Sequence, residues 1–121
     1  MPEPQPSYAE ILSYLVGEQL SSVEFVQDYL QLRFDGPTLN VTGPIVVTAG
    51  DHRHAAWEPG FRDLLCGQIG KLIASVTQRA EEALVFTFED GSAITVSLAP
   101  FDGCPEALYF HDPHRNTWFA T

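Results

Sequence analysis

The four histidines of this chain fall in two close pairs, His52 with His54 and His111 with His114. Side chains two residues apart in an extended segment project to the same side. His52 and His54 could therefore present two imidazole nitrogens to a zinc-type metal, with Asp51 or Glu58 as a third ligand. His111 and His114 flank Asp112 and form a second candidate pair, although Pro113 places them in a turn. A three- or four-ligand centre would need the two regions to meet in space. The competing expectation is two solvent-exposed polar loops.

Histidine beside acids also suits general-base hydrolysis, but a nucleophile would have to be added. Cys66 adjoins Leu64 and Leu65 and reads as a small buried apolar residue. Cys104, between Asp102-Gly103 and Pro105, reads as more exposed. Neither cysteine nor any serine sits in a local catalytic signature. Gly67-Gln68-Ile69-Gly70 lacks the Lys-Ser/Thr that follows a phosphate-binding loop. The Glu81-Glu82 and Glu89-Asp90 pairs read as solvated acidic turns. The other cluster is Trp57 with Glu58, Arg62 and His54, because tryptophan and arginine dominate binding hot spots. Trp57 could equally plug the end of a sandwich. No cofactor is implied, and the balance leans away from an enzyme.

The elements that must position these residues are mainly strands. Residues 1–6, with prolines at 2, 4 and 6, read as a flexible extended arm. Ser7-Tyr8-Ala9-Glu10 forms a capping box. Tyr8, Ile11, Leu12, Leu15 and Val16 follow at helical spacing and predict an amphipathic helix ending at Gly17. Beyond it the period becomes two. Val23 and Phe25, then Leu30, Leu32 and Phe34, then Leu39 and Val41 alternate around the Asp35-Gly36 turn, and Ile45–Thr48 reads as a buried strand. Residues 49–60 show no clean periodicity and read as a loop with room for a short strand. Phe61, Leu64, Leu65 and Ile69 suggest a short central helix broken at Gly67.

The pattern then repeats. Gly17 and Val23 match Gly70 and Val76 at an offset of 53, Leu30, Leu32 and Phe34 match Leu84, Phe86 and Phe88 at 54, and Gly36, Leu39 and Val41 match Gly91, Ile94 and Val96 at 55. That fits a divergent duplication with one residue gained at each turn. Residues 17–48 form a first meander and 69–98 a second. Residues 101–105 and 112–116 read as turns, with short strands at Leu108–Phe110 and 117–121. The expected fold is α+β and mostly antiparallel β: one domain over residues 1–121, with six to eight strands. Two similar β-meanders pack as a sandwich or a barrel-like sheet, and the terminal helix covers one open face.

Sixteen acidic residues against six basic ones give a formal net charge of −10. Nucleic acid and anionic membranes attract clustered Lys and Arg, so both are disfavoured as partners. A protein with a basic surface would be steered toward such a chain. The longest apolar runs are four residues, whereas a membrane span needs about 20. The N-terminal residues lack signal-peptide features, and two cysteines are too few for a disulfide framework, which points to the cytoplasm.

The stretch Asp28-Tyr29-Leu30-Gln31-Leu32-Arg33-Phe34-Asp35-Gly36, with Phe61-Arg62-Asp63-Leu64-Leu65, resembles a group of small uncharacterised bacterial proteins. The likeness runs from about Gly17 to Leu98 and rests on strand–turn–strand motifs. It implies no activity and brings no catalytic residues, although proteins of this kind are sometimes suspected of being antitoxins or immunity proteins. The function expected is a non-catalytic bacterial protein–protein interaction domain, with a homodimer as one form. The alternative is a small metal-dependent enzyme built on the His52/His54 loop.

Overall fold

The computed structural model describes residues 8–27, 29–79, 82–98, 108–115 and 117–120. The expectations for the 1–6 arm, for Ser7 as a cap, for Glu81, for the 101–105 turn and for Cys104 lie outside them.

The predicted N-terminal helix is broken in two, with α1 at Tyr8–Ile11 and a 3-10 turn at Ser13–Leu15. A short helix gains little from its own hydrogen bonds, and tertiary partners set its ends. The Tyr8 N–H donates to Gln78 Oε1 at 2.9 Å. Leu12 and Leu15 are buried, while Val16, expected on the same face, is exposed. The central helix α2 runs Phe61–Cys66. Phe61 and Leu65, four residues apart, are its buried positions. Cys66 lies one step round from Leu65 and is exposed, which corrects the expectation of burial.

The described residues form ten strands, more than the six to eight expected. The first five are β1 Ser22–Phe25, β2 Leu30–Arg33, β3 Thr38–Val41, β4 Ile45–Ala49 and β5 His52–Ala55. After α2 come β6 Ile73–Arg79, β7 Ala83–Phe88, β8 Ala93–Ser97, β9 Leu108–Asp112 and β10 Thr117–Ala120. Strands β2, β3, β7, β8 and β9 alternate buried with less buried positions throughout. Strand β5 is the short strand for which residues 49–60, read mainly as a loop, left room. Ala49 pairs with His52 across Gly50-Asp51, and Gly50 takes the positive φ (58°) that such a tight connection needs.

Among the described residues all strand pairings are antiparallel and make two five-stranded sheets, β1-β2-β3-β9-β10 and β5-β4-β8-β7-β6. Replacing β1–β5 by β6–β10, and the reverse, turns one order into the other. The hairpin β4–β5 therefore completes the second half's sheet, and β9–β10 completes the first half's. The repeat extends to the centre of the molecule. The Gly17 N–H donates to the Ile73 carbonyl (2.8 Å) and the Gly70 N–H to that of Leu20 (2.7 Å). The Leu20 N–H donates to Lys71 (3.1 Å) and the Ile73 N–H to Glu18 (2.9 Å). A step of 53 residues carries each bond onto its mate, and Gln19 and Leu72 form the bridge between them.

One core fills the space between the sheets. It takes Leu30, Leu32, Leu39, Val41 and Phe110 from the first sheet, and Ile45, Val47, Leu84, Phe86, Ile94 and Val96 from the second. Phe34 and Phe86 stack at 5.8 Å. The terminal helix, expected over an open face, contacts β6 through both α1 and the 3-10 turn, and α2 packs on β1, β4 and β5.

Candidate functional site

The chain after β5 turns sharply at residues 56–60 before α2. Trp57 lies there with a φ of 70°, a left-handed conformation that costs a non-glycine residue on the order of 1–3 kcal/mol. The residue remains 52% exposed. On the buried side it meets Phe61 at 5.9 Å and Phe25, the last residue of β1, at 6.3 Å. The Arg62 guanidinium lies 5.4 Å from the centres of both the Trp57 and Phe25 rings, a double cation–π contact.

Three shallow depressions surround this ridge. One is lined by Trp57, Glu58, Pro59, Gly60, Arg62 and Asp63. A second runs along Phe25, Val26, Gln27 and Arg62. The third, mostly apolar, follows Thr42–Val46, Ala55 and Ala56. Trp57, Glu58 and Arg62 thus share one corner, with Asp63 added to them. The arrangement can stack a flat or apolar group on the indole and offer two carboxylates to a cation.

The histidines are dispersed. His52 and His54 do share a face of β5, with ring centres 6.4 Å apart. The His54 ring abuts Gly60, where a Cβ would lie 3.1 Å from its Nε2. His111 stacks on Tyr109 at 6.5 Å, and His114 lies against Gly36. Among the described residues no three His, Cys, Asp or Glu side chains gather round a metal-sized centre.

Sequence reasoning did not anticipate two polar clusters. Asp112, 2% exposed, accepts the Tyr14 hydroxyl at 2.5 Å and the His114 N–H at 3.0 Å. The Arg115 guanidinium lies 4.1 Å from the centre of the Tyr14 ring. Burial pushes the Asp112 pKa up, but the bonds from Tyr14 and from the His114 and Arg115 backbones outweigh it and hold the carboxyl below its usual range. Burial first, and then the Asp112 bond, push the Tyr14 hydroxyl up. A charged acceptor and a locked donor suit a structural pin, since a general base needs a pKa near the working pH.

Glu89-Asp90 is an exposed turn, as expected, and Asp90 anchors the second cluster. Asp90 meets Lys71 at 2.6 Å and takes Ser92 Oγ, and Lys71 and Ser92 also bond the buried Gln68. The Lys71 bond and then the Ser92 bonds hold the Asp90 carboxyl well below its usual range. Tyr14 lies 98 positions from Asp112 and Lys71 lies 19 from Asp90, and no local pattern announces these two contacts.

No helix among the described residues is long and apolar enough to cross a membrane. No protein-family model, no curated protein and no solved structure matches the chain.

Proposed function

We propose that the chain is a non-catalytic bacterial interaction domain that captures a basic protein segment at the Trp57 corner. The observation that carries this reading is Trp57 itself, half exposed in a left-handed backbone conformation and held by Arg62 and Phe25. A large aromatic ring loses favourable burial when it faces water, and here the backbone is strained as well. Arg62 is already ordered against the ring, so little side-chain entropy remains to be lost on binding. Glu58 and Asp63 beside the indole select for Lys or Arg on the partner, and the net charge of −10 steers such a partner in. An immunity-like role, acting in the cytoplasm through neutralising contact rather than chemistry, agrees with this reading. So does a β-meander unit duplicated within one chain.

The test is selection of peptides from a random library on the intact protein, repeated on Trp57→Ala and Arg62→Ala. The expected binders are rich in Lys or Arg, bind more weakly as ionic strength rises, and lose at least about tenfold in affinity on Trp57→Ala, the effect of a hot spot above 1.4 kcal/mol. Binders with no basic bias, or binders indifferent to Trp57, would refute it. The His52/His54 metal centre gains no comparable support, because two imidazoles supply half of a four-ligand shell.

A further inference from the structure

We propose that the outer face of the β5-β4-β8-β7-β6 sheet is a self-association surface, covered by the same face of a second copy of this chain. In register across the strands, one row of this face reads Arg53, Thr48, Ala93, Thr87 and Ser75. The next reads Ala55, Val46, Thr95, Val85 and Thr77, and Arg79 pairs with Ala83 at the end of β6. These rows carry no acid in a chain that has sixteen. Their only charges are arginines on the two edge strands. The central side chains are small or β-branched and partly exposed. Such residues fill the facing surfaces of stacked sheets.

The other sheet supplies an internal control, because the strand correspondence gives each position an equivalent. Thr77 corresponds to Glu24, Val85 to Gln31, Thr87 to Arg33, Thr95 to Asn40, Val46 to Tyr109 and Thr48 to His111. At these six positions the first sheet carries charged, amide, phenol or imidazole side chains, of which Asn40 keeps its Oδ1 buried. In the second sheet each of these six is Thr or Val. Strand propensity does not require the difference, since both sets sit in equivalent strands.

The charge pattern names the occupant. A basic partner gains nothing electrostatically from a face without acids. Two copies with a net charge of −10 repel each other in any orientation, and least where acids are absent from the contact. Five strands about 4.8 Å apart and about five residues long cover roughly 400 Å² in plan. That is below the roughly 800 Å² per partner of a standard interface, so the dimer should be weak, with a dissociation constant on the order of micromolar.

The test is sedimentation equilibrium of the full chain over a range of concentrations, at low and high ionic strength. The expected result is a reversible dimer that tightens with salt, because screening removes the repulsion between copies while the uncharged centre of the contact is unaffected. The variant Thr77→Glu/Val85→Gln/Thr87→Arg installs the residues that the equivalent positions of the first sheet already accommodate. It should keep the wild-type circular dichroism and raise the dissociation constant at least about 100-fold, as desolvated polar groups are left unpaired. Glu24→Thr, on the other sheet, should leave the dimer unchanged. So should Trp57→Ala, which separates this inference from the reading of the Trp57 corner. A chain monomeric at every concentration, a dimer indifferent to the triple variant, or a dimer that loosens with salt would each overturn the proposal.

Discussion

Replacing Tyr14 by Phe removes one oxygen and keeps the ring beneath Arg115. The lost bond runs to a carboxylate that is 2% exposed, so water cannot freely replace it. Hydrogen bonds to charged groups contribute about 1.5–3 kcal/mol, and burial of the orphaned acceptor puts Tyr14→Phe near 2 kcal/mol. With about 2.1 cal/mol/K of unfolding entropy per residue over 121 residues, that lowers Tm by about 8 °C. Urea denaturation at a series of pH values checks both magnitude and cause. The folded pKa of Asp112 is depressed, so its stabilisation is present above the unfolded value of about 3.9 and is lost as pH falls through the folded one. The folded pKa of Tyr14 is raised, so its contribution is present below about 10 and is lost as pH rises. The gap between wild type and Tyr14→Phe should therefore be widest near neutrality and should narrow at both pH 3 and pH 11. A gap below about 0.5 kcal/mol at pH 7, within the scatter of ordinary surface substitutions, would refute the reasoning. So would a gap that does not change with pH.

Phe86→Ala should cost about 3–5 kcal/mol in the same assay, because it removes a fully buried ring stacked between the sheets. Gly36→Ala should cost at least about 1 kcal/mol, since Gly36 has a φ of 128° and the new Cβ would lie 2.9 Å from His114 Cδ2. Combining it with His114→Ala should recover only the steric part, a non-additivity measurable by thermal melts. Cys66 should react with a thiol reagent under native conditions, and Cys66→Ser should remove one equivalent of that reaction, read by mass spectrometry.

Alternation made most of the strands legible. Leu30-Leu32-Phe34 and Leu84-Phe86-Phe88 announce one buried face each, and the turns at Gly36 and Gly91 separate them from their partners. Strand β5 was legible only as room for a short strand, because at the sheet's edge His52 and Arg53 are both exposed. His52-Arg53-His54-Ala55 therefore need not alternate apolar with polar. The N-terminal helix was overextended because its apolar spacing persists to Val16, while the backbone is recruited by Gln78 and Ile73 instead. The grouping of Trp57 with Glu58 and Arg62 was readable from proximity in sequence, whereas Phe25 joins them through the packing of α2 on β1. Tyr14 and Asp112 are 98 residues apart, and composition carries no trace of their meeting.

The exchange of hairpins between the two halves also sets a timetable for biosynthesis. Thr38–Val41 has its second neighbour in Leu108–His111, so that flank of β3 stays open until a segment 67 residues downstream of Val41 has emerged. At about 5–20 residues per second, this wait lasts roughly 3–13 s. Hairpins close in about 1–10 μs, so β2 and β3 can pair long before β9 exists. During that interval a bare β edge with Leu39 and Val41 on its apolar side is available to other nascent chains. Ribosome-associated chaperones would meet this protein as an unfinished sheet, and codon changes that slow translation between β3 and β9 should raise its aggregation without altering one residue of the product.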